Sequence, residues 1–159
     1  MFENLSSLFS ALGLGYLVLT AWPLAKTDIL ERRLPNKYVL PAFPITWFGQ
    51  IVAGVLGAGF WNMLWAFLAA ATTFTLSLVI NRLGLLGMGD VKLMAVMALA
   101  LGWYSPLLPI IALGLSFLIA GIVAVVLLAI KRIKLGSSMP LGPYLIAGFL
   151  GAITLALWS

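Results

Sequence analysis

The sequence predicts an all-α polytopic membrane protein with about six transmembrane helices and both termini outside the cytoplasm. Two observations carry the fold class. Of 159 residues, 64% are hydrophobic and 8% charged, with a mean hydropathy of +1.18, far from soluble usage of roughly half apolar and a quarter charged. The chain also divides into apolar windows near the roughly 20 residues that cross a bilayer, leaving almost no polar sequence for a soluble domain. A third observation, the confinement of positive charge to alternate breaks between windows, supplies the orientation. Residues 1–159 therefore read as a single membrane-embedded domain.

The first window runs from about Leu5 to Ala25. Only Glu3 stands before it as a charge, so the basic start of a secretory signal is missing and the window reads as a retained helix. KTDILERRLPNK, Lys26 to Lys37, is the most polar stretch and reads as a loop or a frayed helix end, closed by a turn-favouring Pro-Asn pair. A second window follows from about Tyr38 to Leu56, with Pro41 and Pro44 near its start. GAGF, Gly57 to Phe60, turns the chain into a third window, about Trp61 to Ile80, ended by Asn81 and Arg82. After LGLLGMGD, a fourth run spans Val91 to Trp103, and a fifth runs from about Leu107 to Ile130. KRIKLGSS, Lys131 to Ser138, breaks the chain before a last window from about Met139 to Trp158.

The nine basic residues fall in the first, third and fifth breaks: Lys26, Arg32, Arg33 and Lys37, then Arg82 and Lys92, then Lys131, Arg132 and Lys134. Alternate breaks emerge on one side of the membrane, and the positive-inside rule makes that side cytoplasmic. The net charge of +5 thus has a topological reading, with anionic lipid as the expected contact and no nucleic-acid partner. Trp61, Trp103, Tyr104 and Trp158 fall toward the opposite face as expected interfacial aromatics.

Asp28, Glu31 and Asp90, three of the four acidic residues, all fall on the cytoplasmic face. Residues 29 to 89 are about enough for a two-helix hairpin, which returns Asp90 to the face that Asp28 left. A fourth helix from Asp90 to Trp103 rises only about 20 Å, short of the roughly 30 Å hydrocarbon core. Asp90 is then expected below the headgroups, where an ionisable residue is by default a functional candidate. Plainer roles compete. Asp90 follows a glycine at a helix start and suits an N-cap; Asp28 lies near Lys26, Arg32 and Arg33 and suits an interfacial ion pair; Glu31 suits a solvated charge. Gly84, Gly87 and Gly89 suit a tight turn or close packing.

The inventory narrows the chemistry. The chain has no histidine and no cysteine, which removes Ser-His, Cys-His and HExxH sites. A Ser-Lys pair from Ser137 or Ser138 with Lys134 is formally open, but all three belong to an ordinary basic loop. What remains is a pair of carboxylates that share one proton and so present a base and an acid together. No metal or other cofactor is expected. An alternative use of the same two aspartates is a small transporter or proton pathway, which predicts carboxylates near the bilayer midplane.

Three stretches bear on this choice. GMGDVKL, Gly87 to Leu93, resembles the GxGD motif of aspartyl membrane proteases and, in its extended form, that of the type IV prepilin peptidases. Asp28 followed by Leu34-Pro35-Asn36 is similar to the spacing of that family's first loop, and MPLGPYL, Met139 to Leu145, to the segment that opens its last helix. The resemblance implies that Asp28 and Asp90 are a catalytic pair. It also implies a prepilin substrate, cut at the cytoplasmic face of the inner membrane between a short basic leader and the apolar helix of the mature pilin. Gly87 and Gly89 would let backbone approach the pair, and Lys92 would be structural or lipid-facing, with an electrostatic role at the site as the lesser reading. Longer members carry an additional N-terminal region with zinc-binding cysteine pairs that accompanies N-methylation. Four residues before the first apolar run and no cysteines predict the peptidase without the methyltransferase, a compact form that looks most like the peptidases of tight-adherence (Flp) pilus systems.

Overall fold

The computed structural model describes residues 2–132 and 139–158, and no strand occurs among them. Lys134, Ser137 and Ser138 lie outside the described residues. The chain forms α1 (Phe2–Ser10), α2 (Leu12–Glu31), α3 (Asn36–Ala53), α4 (Phe60–Arg82), α5 (Met88–Gly102), α6 (Leu108–Ala129) and α7 (Gly142–Trp158). A wide π turn, Gly54–Ala58, extends α3. It ends where Gly57 and Gly59, at φ 103° and 87°, adopt conformations that side chains with a Cβ disfavour.

Four rods are long and apolar enough to cross a membrane: Glu3–Glu31, Asn36–Ala58, Phe60–Arg82 and Leu108–Ala129. The helices α5 and α7 are shorter, at 15 and 17 residues. The chain is thus an all-α polytopic membrane protein, and its apolar windows correspond to its rods. The first rod ends as the second of the two expected readings, for α2 continues through Lys26 and Asp28 to Glu31 before the chain turns. A polar run reads as loop by hydropathy, yet Lys, Asp and Glu propagate a helix already nucleated by an apolar segment.

The short α5 is the centre. Every residue from Val91 to Gly102 is buried except Lys92, which is partly buried. A helix apolar on all sides must be enclosed, and α2, α3, α4, α6 and α7 all pack against it. One core joins Leu17 and Leu24 of α2, Val39 of α3, Leu93, Val96 and Leu101 of α5, and Leu145 and Phe149 of α7. A second joins Ala53, Ala66, Leu99 and Trp103. Trp103, expected as an interfacial aromatic, is instead 5% exposed and part of this core, whereas Trp61 is 72% exposed. The difference follows from position, since Trp103 caps the enclosed α5 and Trp61 opens the peripheral α4.

Lipid-embedded helices gain little from the hydrophobic effect between them and depend on close van der Waals approach. Between α6 and α7 that approach is made at Gly148, where a Cβ would collide with the Ala112 carbonyl and the Ser116 backbone. The Gly148→Leu variant is expected to lose about 1–3 kcal/mol through overpacking. Thermal unfolding in detergent checks this, and a melting temperature equal to wild type would contradict the packing described.

Candidate active site

The two aspartates reach one cavity from helix ends of opposite sense. Asp28 lies in the last turn of α2 and is 5% exposed. Arg32 ends that helix in the left-handed conformation, φ 51°, and its backbone N–H donates to the Asp28 carbonyl at 2.9 Å. The next residues, Leu34 to Asn36, form the turn that starts α3. On the other side, Gly87 is the extended cap of α5, and Asp90 is the third residue of the helix. Asp90 is therefore not the N-cap that its place after glycine suggests. Its carboxylate reaches back to accept from the Gly87 N–H, as an acid in the first turn of a helix does in a capping box.

The carboxylates of Asp28 and Asp90 are near enough to interact electrostatically. They line one cavity of about 380 Å³ together with Arg32, Arg33, Leu34, Asn36, Gly87, Met88, Gly89 and Lys92. Each carboxylate is held by a helix-start N–H, a donor that has no partner within its own helix. For Asp28 the donor is Gly142, the first residue of α7, at 2.8 Å. The other oxygen of Asp90, Oδ1, is buried and accepts from no donor among the described residues.

The glycines now have separate reasons. A Cβ on Gly142 would lie 2.7 Å from Asp28 Oδ2, and one on Gly87 would lie 2.8 Å from Asp90 Oδ2. Both positions exclude a side chain because a carboxylate already occupies the space. Gly89 differs from expectation: its missing Cβ makes room for the Leu34 side chain, 2.8 Å away, and so seats α5 on the Leu-Pro-Asn turn. Lys92 takes the structural one of its two expected roles. Its Nζ donates to Asn36 Oδ1 at 3.2 Å within the lining of the polar cavity, a second tie between α5 and that turn. Glu31 is exposed.

The structure thus brings Asp28 and Asp90 together and places the Leu-Pro-Asn turn and the start of α7 beside them. Gly142 as a ligand of Asp28 was not foreseeable, although the Gly-Pro pair that contains it was a visible signal. Among the described residues, no group of three or more potential ligands could hold a metal ion.

Fold and site together define a polytopic helical membrane protein with a carboxylate pair in a polar cavity at one end of its bundle. A family profile described as the type IV leader peptidase family matches residues 14–130, and the chain belongs to that family. Curated relatives are named prepilin leader peptidase/N-methyltransferase. That of Stutzerimonas stutzeri is 28% identical over 148 residues, covering 87% of this chain and 49% of the relative. That of Pseudomonas aeruginosa is 30% identical over 158 residues, with the same two shares. That of Pseudomonas putida is 31% identical over 151 residues, covering 83% and 47%. The chain spans about half the length of the curated relatives it matches. No solved structure matches it significantly.

Two carboxylates in one cavity, one with an unpartnered oxygen, oppose stable folding. Asp90→Asn keeps an acceptor for the Gly87 N–H and removes the repulsion. It is expected to stabilise the fold by about 1 kcal/mol, read as a rise of roughly 2–4 °C in Tm. A lower Tm than wild type at neutral pH would show that Asp90 serves the fold rather than strains it.

Proposed function

We propose that this chain is an aspartic endopeptidase that removes the leader from prepilin-like precursors, with Asp28 and Asp90 as the catalytic pair in one membrane-embedded domain. The observation that carries the reading is the meeting of Asp28, from the end of α2, with Asp90, from the start of α5, in one polar cavity. Family membership supports the class of reaction. The peptidase named for the relatives accounts for a carboxylate pair; the methyl transfer also named for them is no part of the proposal.

The chemistry needs one shared proton. The ionised carboxylate takes a proton from water as the water oxygen attacks the scissile carbonyl carbon, while the protonated partner gives its proton to the carbonyl oxygen. The resulting gem-diol then breaks its C–N bond as the proton held by the first carboxylate passes to the amine nitrogen and a hydroxyl proton returns to the second. Gly142 and Gly87 hold the carboxylates through backbone N–H groups, which fixes their orientation without adding a competing acid. The Leu-Pro-Asn turn, bound to α5 through Leu34 and Asn36, sets the spacing between them.

The alternative, an ion or proton pathway, calls for carboxylates near mid-span. The position of both aspartates at one end of the bundle favours the peptidase. With the three basic breaks on the cytoplasmic side of the inner membrane, that end meets precursors before their apolar segment has left the bilayer.

Co-expression with a model precursor and a gel-shift readout of leader removal tests the reading. Asp28→Asn and Asp90→Asn are each expected to lower cleavage by at least about 10³-fold while the protein still inserts in the membrane; normal processing by either variant would end the proposal. Gly142→Ala pushes the Asp28 carboxylate from its place and is expected to reduce kcat by about 10²-fold, the usual cost of a misplacement near 1 Å. Cleavage is expected to persist in EDTA, and a loss restored by added metal would replace this mechanism with a metal-dependent one.

A further inference from the structure

The helices α3 and α4 both pack on α5 but only marginally on each other. They meet through the rings of Trp47 and Phe67, whose centroids are 6.1 Å apart at an interplanar angle of 75°. On either side of this ring pair lies an apolar cavity, one of about 310 Å³ reaching Gln50 and Met63 and one of about 240 Å³ reaching Phe43 and Phe74. Both cavities share Trp47, Phe67 and Leu99 in their linings. Together they form one cleft, open to the side of the bundle and interrupted at mid-length by two rings that are 40% and 49% exposed.

The cleft lies along the same faces of α5 and α3 as the dyad cavity. On α5, Lys92, Ala95 and Leu99 stand at i, i+3 and i+7, on one face of the helix. Lys92 lines the dyad cavity, and Ala95 and Leu99 floor the cleft. On α3, Asn36 lines the dyad cavity and Phe43 lies two turns further along, in the cleft. The other large apolar cavity, about 530 Å³, is lined by Leu14, Leu101, Tyr104 and Ile153, at the end of α5 opposite Asp90.

We propose that the cleft between α3 and α4 is the docking surface for the apolar helix of the substrate, which enters sideways from the bilayer and parts Trp47 from Phe67. This rests on the peptidase reading. A peptide whose scissile carbonyl lies between Asp28 and Asp90 carries its apolar helix directly after the cut, so that helix must lie along a membrane-facing surface that begins at the dyad. The cleft starts about one helical turn beyond Lys92 on α5, on the face that Lys92 shares with Ala95 and Leu99. Ala70, Ala71 and Ala95 in its walls and floor let a helix backbone approach closely, as helix pairs in lipid require. Apolar anchors at helical spacing fit a groove of this kind.

The test compares two substrates of the full-length protein in lipid nanodiscs: a basic leader joined to an alanine-leucine transmembrane helix, and the same leader joined to a short polar tail. In Ala70→Trp, which fills the cleft, the ratio of kcat/KM for the helical precursor to that for the short peptide is expected to fall about tenfold. Val125→Trp, on the exposed face of α6, is expected to leave the ratio at the wild-type value. A benzophenone amino acid at position 67 in the Asp90→Asn background should crosslink to the precursor helix, and one at position 125 should not. An unchanged ratio in Ala70→Trp, with both substrates cleaved by wild type, would overturn the cleft proposal and leave the dyad reading intact. Adducts to lipid alone at position 67 would also overturn it. If wild type cleaves neither substrate, the peptidase reading fails and the cleft proposal with it.

Discussion

The architecture depends on one enclosed helix. Burial of α5 on every side obliges five helices to surround it, and its residues have no lipid to fall back on if a neighbour shifts. The outer helices have the opposite character: of the most apolar window in Leu108–Ala129 only 11% is buried, and of that in Phe60–Arg82 only 17%. Their outward side chains are free to vary within what lipid accepts. The inner seam is a matter of close fit between small residues.

Carrying two carboxylates into this setting requires compensation, since a desolvated carboxylate is stable only with donors or opposite charge. The protein supplies both from its backbone and its loops. The starts of α5 and α7 each direct an N–H at a carboxylate, where the helix dipole adds favourable potential. Arg32, Arg33 and Lys92 line the same cavity. Using backbone donors has a strict steric corollary: the donor residue must be glycine, because the carboxylate takes the volume of a Cβ. That is why glycine occurs at both 87 and 142, although one precedes its helix and the other begins it.

These features were unequally legible in the sequence. Hydropathy showed the rods because span length is a local property, and alternate charged breaks placed Asp28 and Asp90 on one face without any contact information. The same local measure misjudged or left open residues whose environment is set by distant chain. Lys26 to Glu31 stayed open between loop and helix end because hydropathy does not register the helix that precedes them. Trp103 looked interfacial because nothing nearby announces that Ala53 and Ala66 cover it. The partner of Gly142 lies 114 positions away, so its motif was visible while its reason was not. Lys92 was left between a structural and a lipid-facing place, and Asn36, also from another helix, decides for the structural one.

The length of α5 explains why the site lies where it does. At 15 residues the helix rises about 22 Å, against about 34 Å for the 23 residues of α4. A short rod inside longer ones leaves a recess at its end, and irregular backbone is tolerated in a membrane only where protein or water meets it. Here the recess is closed in part by the turn after α2 and by the start of α7, whose free N–H groups and basic side chains make it polar. A longer α5 would carry Asp90 outward with the helix start and away from Asp28, which the last turn of α2 holds. The short central helix is thus the condition for two carboxylates to meet at one end of the bundle, beside an apolar cleft on the same helix face.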